Sequence, residues 1–345
     1  MFDLSKCDRC GECFVKCMYV DYSQEEAVKA ITALVEGEDA EILTECITCM
    51  ACNEYCQKGA HPYDLICRLQ EEKGIVLVSD ETLTMIENTL SSVPHKVSEG
   101  EPHKPALSLC VMEYAYPPGI TESKMFDGLT VVKGGDYFSR IVYLHTGMES
   151  VVRENAQRFV DNLARLGKDE VILLHDDCYT LLAKKVYEYG IKVPFKPIHI
   201  VEFMVNYLKA HRREIIKLDR KIAYQRPCIS RYTPEKEPML DELFELIGVE
   251  RVVRRYDRED ALCCGIGLSK VDPERCMRIV DMNLSDVKTH GAEAMVFLCP
   301  SCYYFLSRPC EERGVASIFI TDLCRMTLGE VPFSSRPPLT SKYLS

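Results

Sequence analysis

The first 56 residues carry two copies of one strict cysteine pattern. Cys7, Cys10, Cys13 and Cys17 are spaced C-x2-C-x2-C-x3-C, and Cys46, Cys49, Cys52 and Cys56 repeat that spacing. Spacing by two lets a tight loop wrap three thiolates around one four-iron cube, while the fourth cysteine, one turn further on, reaches a second cube. The expectation is two [4Fe-4S] cubanes, one on Cys7, Cys10, Cys13 and Cys56, the other on Cys46, Cys49, Cys52 and Cys17. Zinc also takes paired CxxC ligands, but it needs only four, and a triple CxxCxxC fits it poorly.

This is the spacing of two-cluster ferredoxins. Proline usually follows the fourth cysteine there; Met18 and Gln57 stand in its place. Between the motifs, Ser23 and Glu26 form a capping box, Val28, Ile31, Leu34 and Val35 recur at helical spacing, and Gly37 ends the run. A short helix is expected in "DAEILTEC", and one closing helix in the stretch from Arg68 to Leu90. Helices rather than a hairpin between the motifs indicate an α-helical ferredoxin domain over 1–90, with Met50 and Tyr55 lining its clusters.

The whole chain holds 19 cysteines, an odd number, and opens without an apolar leader. That indicates metal rather than disulfides, in a reducing compartment. A cytoplasmic protein is expected, with docking on a membrane partner as a further expectation, since no apolar run approaches the ~20 residues that span a bilayer. A net charge of −11 without a basic run argues against a nucleic-acid partner.

A polar, proline-containing stretch over 91–105 reads as an interdomain linker. Two copies of one unit follow, over 106–212 and 213–330, before a tail over 331–345. Cys110 corresponds to Cys228, Gly134 and Gly135 to the region of Cys264 and Gly265, and His175 and Cys178 to Cys299 and Cys302. Short apolar strands alternate with amphipathic helices in both copies, the pattern of an α/β domain. In the second copy, 34 residues separate Cys228 from the vicinal pair Cys263 and Cys264, and 34 separate Cys264 from Cys299, which forms a CxxC with Cys302. Each cysteine falls at a strand end, so neighbouring loops bring five thiols to one edge of a parallel sheet.

That arrangement resembles the cysteine-rich CCG domain, and the order of a helical ferredoxin domain followed by two CCG copies is similar to the D-type subunits of heterodisulfide reductase. The resemblance covers nearly the whole chain. It implies an α-helical ferredoxin domain joined to an α/β domain of two pseudo-symmetric CCG repeats. It also implies a non-cubane [4Fe-4S] cluster on Cys228, Cys263, Cys264, Cys299 and Cys302. The first copy departs from the pattern, keeping only Cys110 and Cys178 and replacing the CxxC by "HDDC". A second such cluster is therefore not expected. Cys264, Cys178 and His175 form the candidate catalytic group. Alternatively, His175, Asp176 and Asp177 are a decayed site satisfied by hydrogen bonds, and His145 lies on a surface loop.

The implied function is an iron–sulfur electron-transfer subunit of a heterodisulfide-reductase-like complex, fed by a flavin or iron–sulfur donor protein and able to reduce a disulfide. The alternative is a pure conduit in another anaerobic or organic-acid oxidoreductase, such as an aromatic-ring reductase or a glycolate or lactate oxidation complex. A zinc scaffold, or a thioredoxin-like use of Cys299 and Cys302, accounts for fewer of the cysteines. Cys67, Cys276, Cys310 and Cys324 read as buried apolar thiols, and "RVVRRYDRED" over 251–260 as a solvated edge.

Overall fold

The computed structural model describes residues 1–333, so most of the tail expected over 331–345 lies outside the described residues. Six short helices come first: α1 (Glu12–Val15), α2 (Gln24–Glu36), α3 (Ile42–Glu45), α4 (Ala51–Tyr55), α5 (Pro62–Glu72) and α6 (Asp80–Thr84). The capping box opens α2: Ser23 Oγ accepts from the Glu26 N–H, and the Glu26 carboxylate accepts from the Ser23 N–H at 2.8 Å. Gly37, at φ 80°, ends it. Ala27, Ala30, Ile31 and Leu34 form its buried stripe, packed with Phe14, Ile42, Leu43, Leu65, Ile66 and Leu69 into a separate small core. Each such Leu or Ile side chain contributes roughly 1.5–3 kcal/mol on full burial.

The single closing helix expected to Leu90 is two pieces. Gly74, at φ 68°, ends α5's last turn, and Ser79 caps α6, which runs on as a π-helical turn over Met85–Leu90. The stretch expected as a linker also differs. It supplies β1 (Lys96–Ser98), which pairs antiparallel with β3 (Thr130–Lys133) through Val97 opposite Val132.

Two sheets of mainly parallel strands make up the rest. The first has the order β1-β3-β2-β4-β5, with β2 at Ala106–Ser108, β4 at Glu170–Leu173 and β5 at Lys196–His199. The second has the order β7-β6-β8-β9, with β6 at Arg220–Gln225, β7 at Val249–Arg251, β8 at Ala294–Phe297 and β9 at Ala316–Phe319. Without β1, both sheets place their strands in the same succession, second-first-third-fourth. The registers correspond as well: Leu107 lies opposite Ile172 across the β2–β4 pair, as Ala223 lies opposite Met295 across β6–β8.

The helices α7 (Glu149–Ala164), α8 (Asp176–Thr180), α9 (Val186–Glu188) and α10 (Ile200–Ala210) belong to the first sheet, with a π-helical turn over Leu181–Lys185 joining α8 to α9. The second sheet carries α11 (Glu237–Ile247), α12 (Pro273–Thr289), α13 (Pro300–Glu312) and α14 (Ile320–Thr327). The interior strands β2 and β8 are buried from end to end, as a sheet covered on both faces requires. One apolar core runs through both sheets, from Leu107 and Ile172 to Val296 and Phe319. Cys67, Cys276, Cys310 and Cys324 are all buried, at 2% exposure or less.

The 251–260 segment is not a solvated edge. Arg251 binds Asp257 and Glu237, and buried Arg254 binds Asn283 at 3.0 Å and Asp286 at 3.2 Å. Only part of the segment, notably Val253, faces solvent.

Candidate metal centres

The two N-terminal cysteine loops share one backbone path. Left-handed residues stand two and four positions after the first cysteine of each: Arg9 (φ 59°) and Gly11 (φ 77°), then Thr48 (φ 59°) and Met50 (φ 64°). Three of these four are not glycine, and such a conformation costs an L-residue roughly 1–2 kcal/mol. Strain repeated at equal positions marks a loop wound around something. Gly11 has a further reason: a Cβ there would come within 2.7 Å of Val28 N in α2.

The loops bring the thiols together in two groups. Burial raises the Cys13 thiol, and the charges of Cys56, Cys10 and Cys7 raise it further. Burial likewise raises Cys52, followed by Cys46, Cys13, Cys49 and Cys17. Cys7, Cys10, Cys13 and Cys56 thus face one another, Cys17, Cys46, Cys49 and Cys52 face one another, and Cys13 and Cys52 adjoin across the two groups. Backbone N–H groups point at the sulfurs, from Thr48 to Cys46 at 3.3 Å and from Ala60 to Cys56 at 3.4 Å. Cys10 is exposed, which makes the first group the outer one.

The second sheet assembles a third group at the carboxyl ends of its strands. Cys228 follows β6, Cys263 and Cys264 end the long loop after β7, and Cys299 follows β8 as the N-cap of α13, with Cys302 in its first turn. Their side chains form a continuous series. Cys263 lies between Cys228 and Cys264, Cys264 contacts Cys302, and Cys302 contacts Cys299. The contact with Cys228 holds the Cys263 thiol well below its usual range, assisted by Cys264 against the opposing burial. Cys302 does the same for Cys299, which falls to about 6 with help from His175.

Gly265 shapes this loop. It sits at φ 86°, and an added Cβ would lie 3.3 Å from Cys276 Sγ, which donates a hydrogen bond to the Gly265 carbonyl at 3.2 Å. Gly265→Val is expected to lose about 1–2 kcal/mol, read as a lower denaturant midpoint, and to lower iron content at this group alone. An unchanged midpoint contradicts the conformational argument.

The first sheet repeats the layout with fewer sulfurs. Cys110 follows β2 and His175 is the N-cap of α8, at φ −88° and ψ 123° against −82° and 125° for Cys299. Cys178 stands one turn into its helix, as Cys302 does. Burial opposes ionisation of Cys110, but Cys178 and His175 outweigh it and bring the thiol to about 5. His175 touches both Cys110 and Cys299, so it spans the two copies.

Asp176 leaves this group. It turns into the interior, where it is held by Lys236, Ser230 and, at 3.1 Å, His199 Nε2.

His145 is not on a free surface loop. Its Nδ1 lies 3.0 Å from the Thr48 carbonyl and 3.3 Å from Thr48 Oγ1, pinning the first sheet to the second cysteine loop.

Two site residues carry no sequence signal. Tyr19 Oη accepts the Cys263 N–H at 2.8 Å, and the side chain is half-buried beside Cys49 and Cys228. Arg231 is a buried cation facing Cys49, Cys228, Glu54 and Tyr19. Beside them the Arg226 guanidinium grips Glu54 in a two-pronged pair, both contacts at 2.7 Å, tying α4 to the Cys228 loop. Only the fold brings Tyr19 and Arg231, some 200 residues apart in the chain, to one seam with Cys49 and Cys263.

The thirteen thiols, soft donors in three groups, fit iron–sulfur clusters. Residues 222–307, which carry the five-thiol group, match the cysteine-rich CCG domain. More particularly, the chain is 22% identical to the D-type subunit of dihydromethanophenazine:CoB–CoM heterodisulfide reductase from Methanosarcina acetivorans, over 88% of either chain. It is 24% identical to a probable membrane-anchored ferredoxin of Chromohalobacter salexigens, over 56% of this chain and 30% of that one. In fold it is similar to a hypothetical protein from Helicobacter pylori, with a TM-score of 0.53 at 13% identity, covering 81% of this chain and 60% of the solved one.

Proposed function

We propose that this chain is an iron–sulfur electron-transfer subunit of a heterodisulfide-reductase-like complex. One observation supports this reading above the others. Five thiols from three strand-end loops meet at one edge of the second sheet, and Cys263 adjoins Cys49 of the inner N-terminal group. Two cubanes on the N-terminal groups and a non-cubane cluster on Cys228, Cys263, Cys264, Cys299 and Cys302 supply one-electron steps when bound.

The chain's own residues set the course. Exposed Cys10 marks where a flavin or iron–sulfur donor protein docks. Cys13 and Cys52 join the outer group to the inner one. Tyr19 and Arg231 fill the seam before the five-thiol group, with Arg231 offsetting negative charge there. The equal strand order of the two sheets and the matching placement of His175 and Cys299 support two pseudo-symmetric copies. The small separate core around α2 and α5 supports a helical ferredoxin domain. No helix among the described residues is long and apolar enough to cross a membrane, so any membrane contact is assigned to a partner protein.

His175 faces the five-thiol group through Cys299, with Cys178 behind it through Cys110, and together they form the wall a disulfide substrate meets. A second reading, a pure conduit serving chemistry elsewhere in the complex, draws on the first copy's retention of only two of the five cysteines. Disulfide turnover by the reduced, anaerobically purified protein separates the two. Cys178→Ala is expected to abolish it, whereas no turnover in the unaltered protein with its donor supports the conduit. Iron content near eight rather than about twelve per chain would overturn the three-cluster assignment under either reading.

A further inference from the structure

The degenerate copy has its own ligand set. Cys110, His175 and Cys178 are all buried, and one donor atom from each lies within 4.8 Å of the other two. Nδ1 of His175 is buried without a hydrogen-bond partner among the described residues, in a side chain 7% exposed. A buried polar atom of this kind costs free energy unless something satisfies it. The opposite ring nitrogen, Nε2, lies 3.5 Å from the Asp177 carboxylate. A carboxylate behind an imidazole is the usual orienting partner of a metal-bound histidine. Cys110 is also held at φ 57°, a left-handed conformation that costs an L-residue about 1–2 kcal/mol.

Two sulfurs and one nitrogen are too few for a four-iron cluster, which takes four protein ligands. They suit one borderline-soft ion in tetrahedral geometry, and three protein ligands with a fourth position open is the pattern of reactive zinc sites. We propose that Cys110, Cys178 and His175 hold a single zinc ion, through Nδ1 of the histidine, with the fourth position taken by water or by a thiolate from outside. The site stands beside Cys299 but shares none of its three ligands with the five-thiol group. Zinc here leaves the chain's electron count unchanged, since the ion has no redox chemistry of its own. It positions and deprotonates a thiol instead.

The test uses the full chain, purified anaerobically from zinc-supplemented culture. Metal analysis is expected to give about one zinc per chain, and zinc X-ray absorption a first shell of two sulfurs, one nitrogen and one further atom. Cys178→Ser and His175→Gln should each lower zinc about tenfold or more without changing iron or sulfide. If either variant fails to fold, the absorption spectrum of the unaltered protein decides. Absence of zinc, full zinc retained in both variants, an all-sulfur shell, or a Cys110–Cys178 disulfide in the intact mass each overturns the site. Iron and sulfide are read from the same sample, so failure here is distinct from failure of the electron-transfer reading.

Discussion

Cys264→Ser should lower iron from about twelve to about eight per chain, as one four-iron cluster is lost, and leave the spectroscopic signals of two cubanes in place. Cys264 stands in the middle of the five-thiol series, between Cys263 and Cys302, and is 4% exposed. Serine keeps the shape but offers a hard hydroxyl in place of a soft thiolate, the wrong donor for iron–sulfur chemistry. Containment of the damage follows from packing. Cys7, Cys13, Cys46 and Cys52 pack with a separate core built by α2 and α5, and the inner group meets the CCG loop along a seam of Ile47, Cys49, Tyr55, Leu262 and Ile279, braced by Tyr19 and the Arg226–Glu54 pair. Loss of all iron would show that the three groups form one cooperative unit. Unchanged iron would remove Cys264 from the ligand set.

Much of this arrangement can be read in the sequence because its determinants are local. The two N-terminal loops wind around their cysteines within eleven residues, so spacing alone indicates which sulfurs share a side. The five-thiol group spans 75 residues, yet each cysteine falls where an apolar run ends, and parallel strands carry their ends to one edge. What stays hidden depends on tertiary contact. Tyr19 and Arg231 are an ordinary tyrosine and arginine until the seam closes over them. His145 reads as a loop residue because its partner, the Thr48 carbonyl, lies 97 positions away. Arg251 and Arg254 look solvated in a mixed-sign run, but besides Asp257 within the run, α11 and α12 supply carboxylates to them. The three-residue β1 escapes because an edge strand of that length leaves almost no periodic trace.

Asp176→Ala should destabilise the protein by about 3–5 kcal/mol, the usual result of breaking one side of a buried ion pair. Asp176 is fully buried and binds Lys236, Ser230 and His199, drawing α8, β5 and the Cys228 loop together. Burial works against its charge, but Lys236 and then His199 hold the carboxyl far below the usual range. Removing it leaves the buried Lys236 ammonium facing only Tyr179's ring and more distant charges, including Arg226 and Glu235.

The same network predicts a pH dependence. Burial, then the Lys236 charge, lowers His199 to about 4, against the opposing pull of Asp176, while Tyr179 packs edge-on against its ring. The folded protein therefore favours neutral His199, and its contribution is fully present above the unfolded value near 6.5. Stability should fall by about 1.4 kcal/mol per pH unit as pH drops from 6.5 toward 4. Asp176 adds a loss only below about 3.9, where its unfolded carboxylate begins to protonate. Anaerobic denaturant titrations between pH 7 and 5.5 separate the histidine from Asp176, because that carboxylate is ionised in both folded and unfolded states over that range. His199→Gln should flatten the slope there. A slope that survives this substitution assigns the effect to another group, and an Asp176→Ala protein as stable as the original would show that Lys236 finds a partner elsewhere.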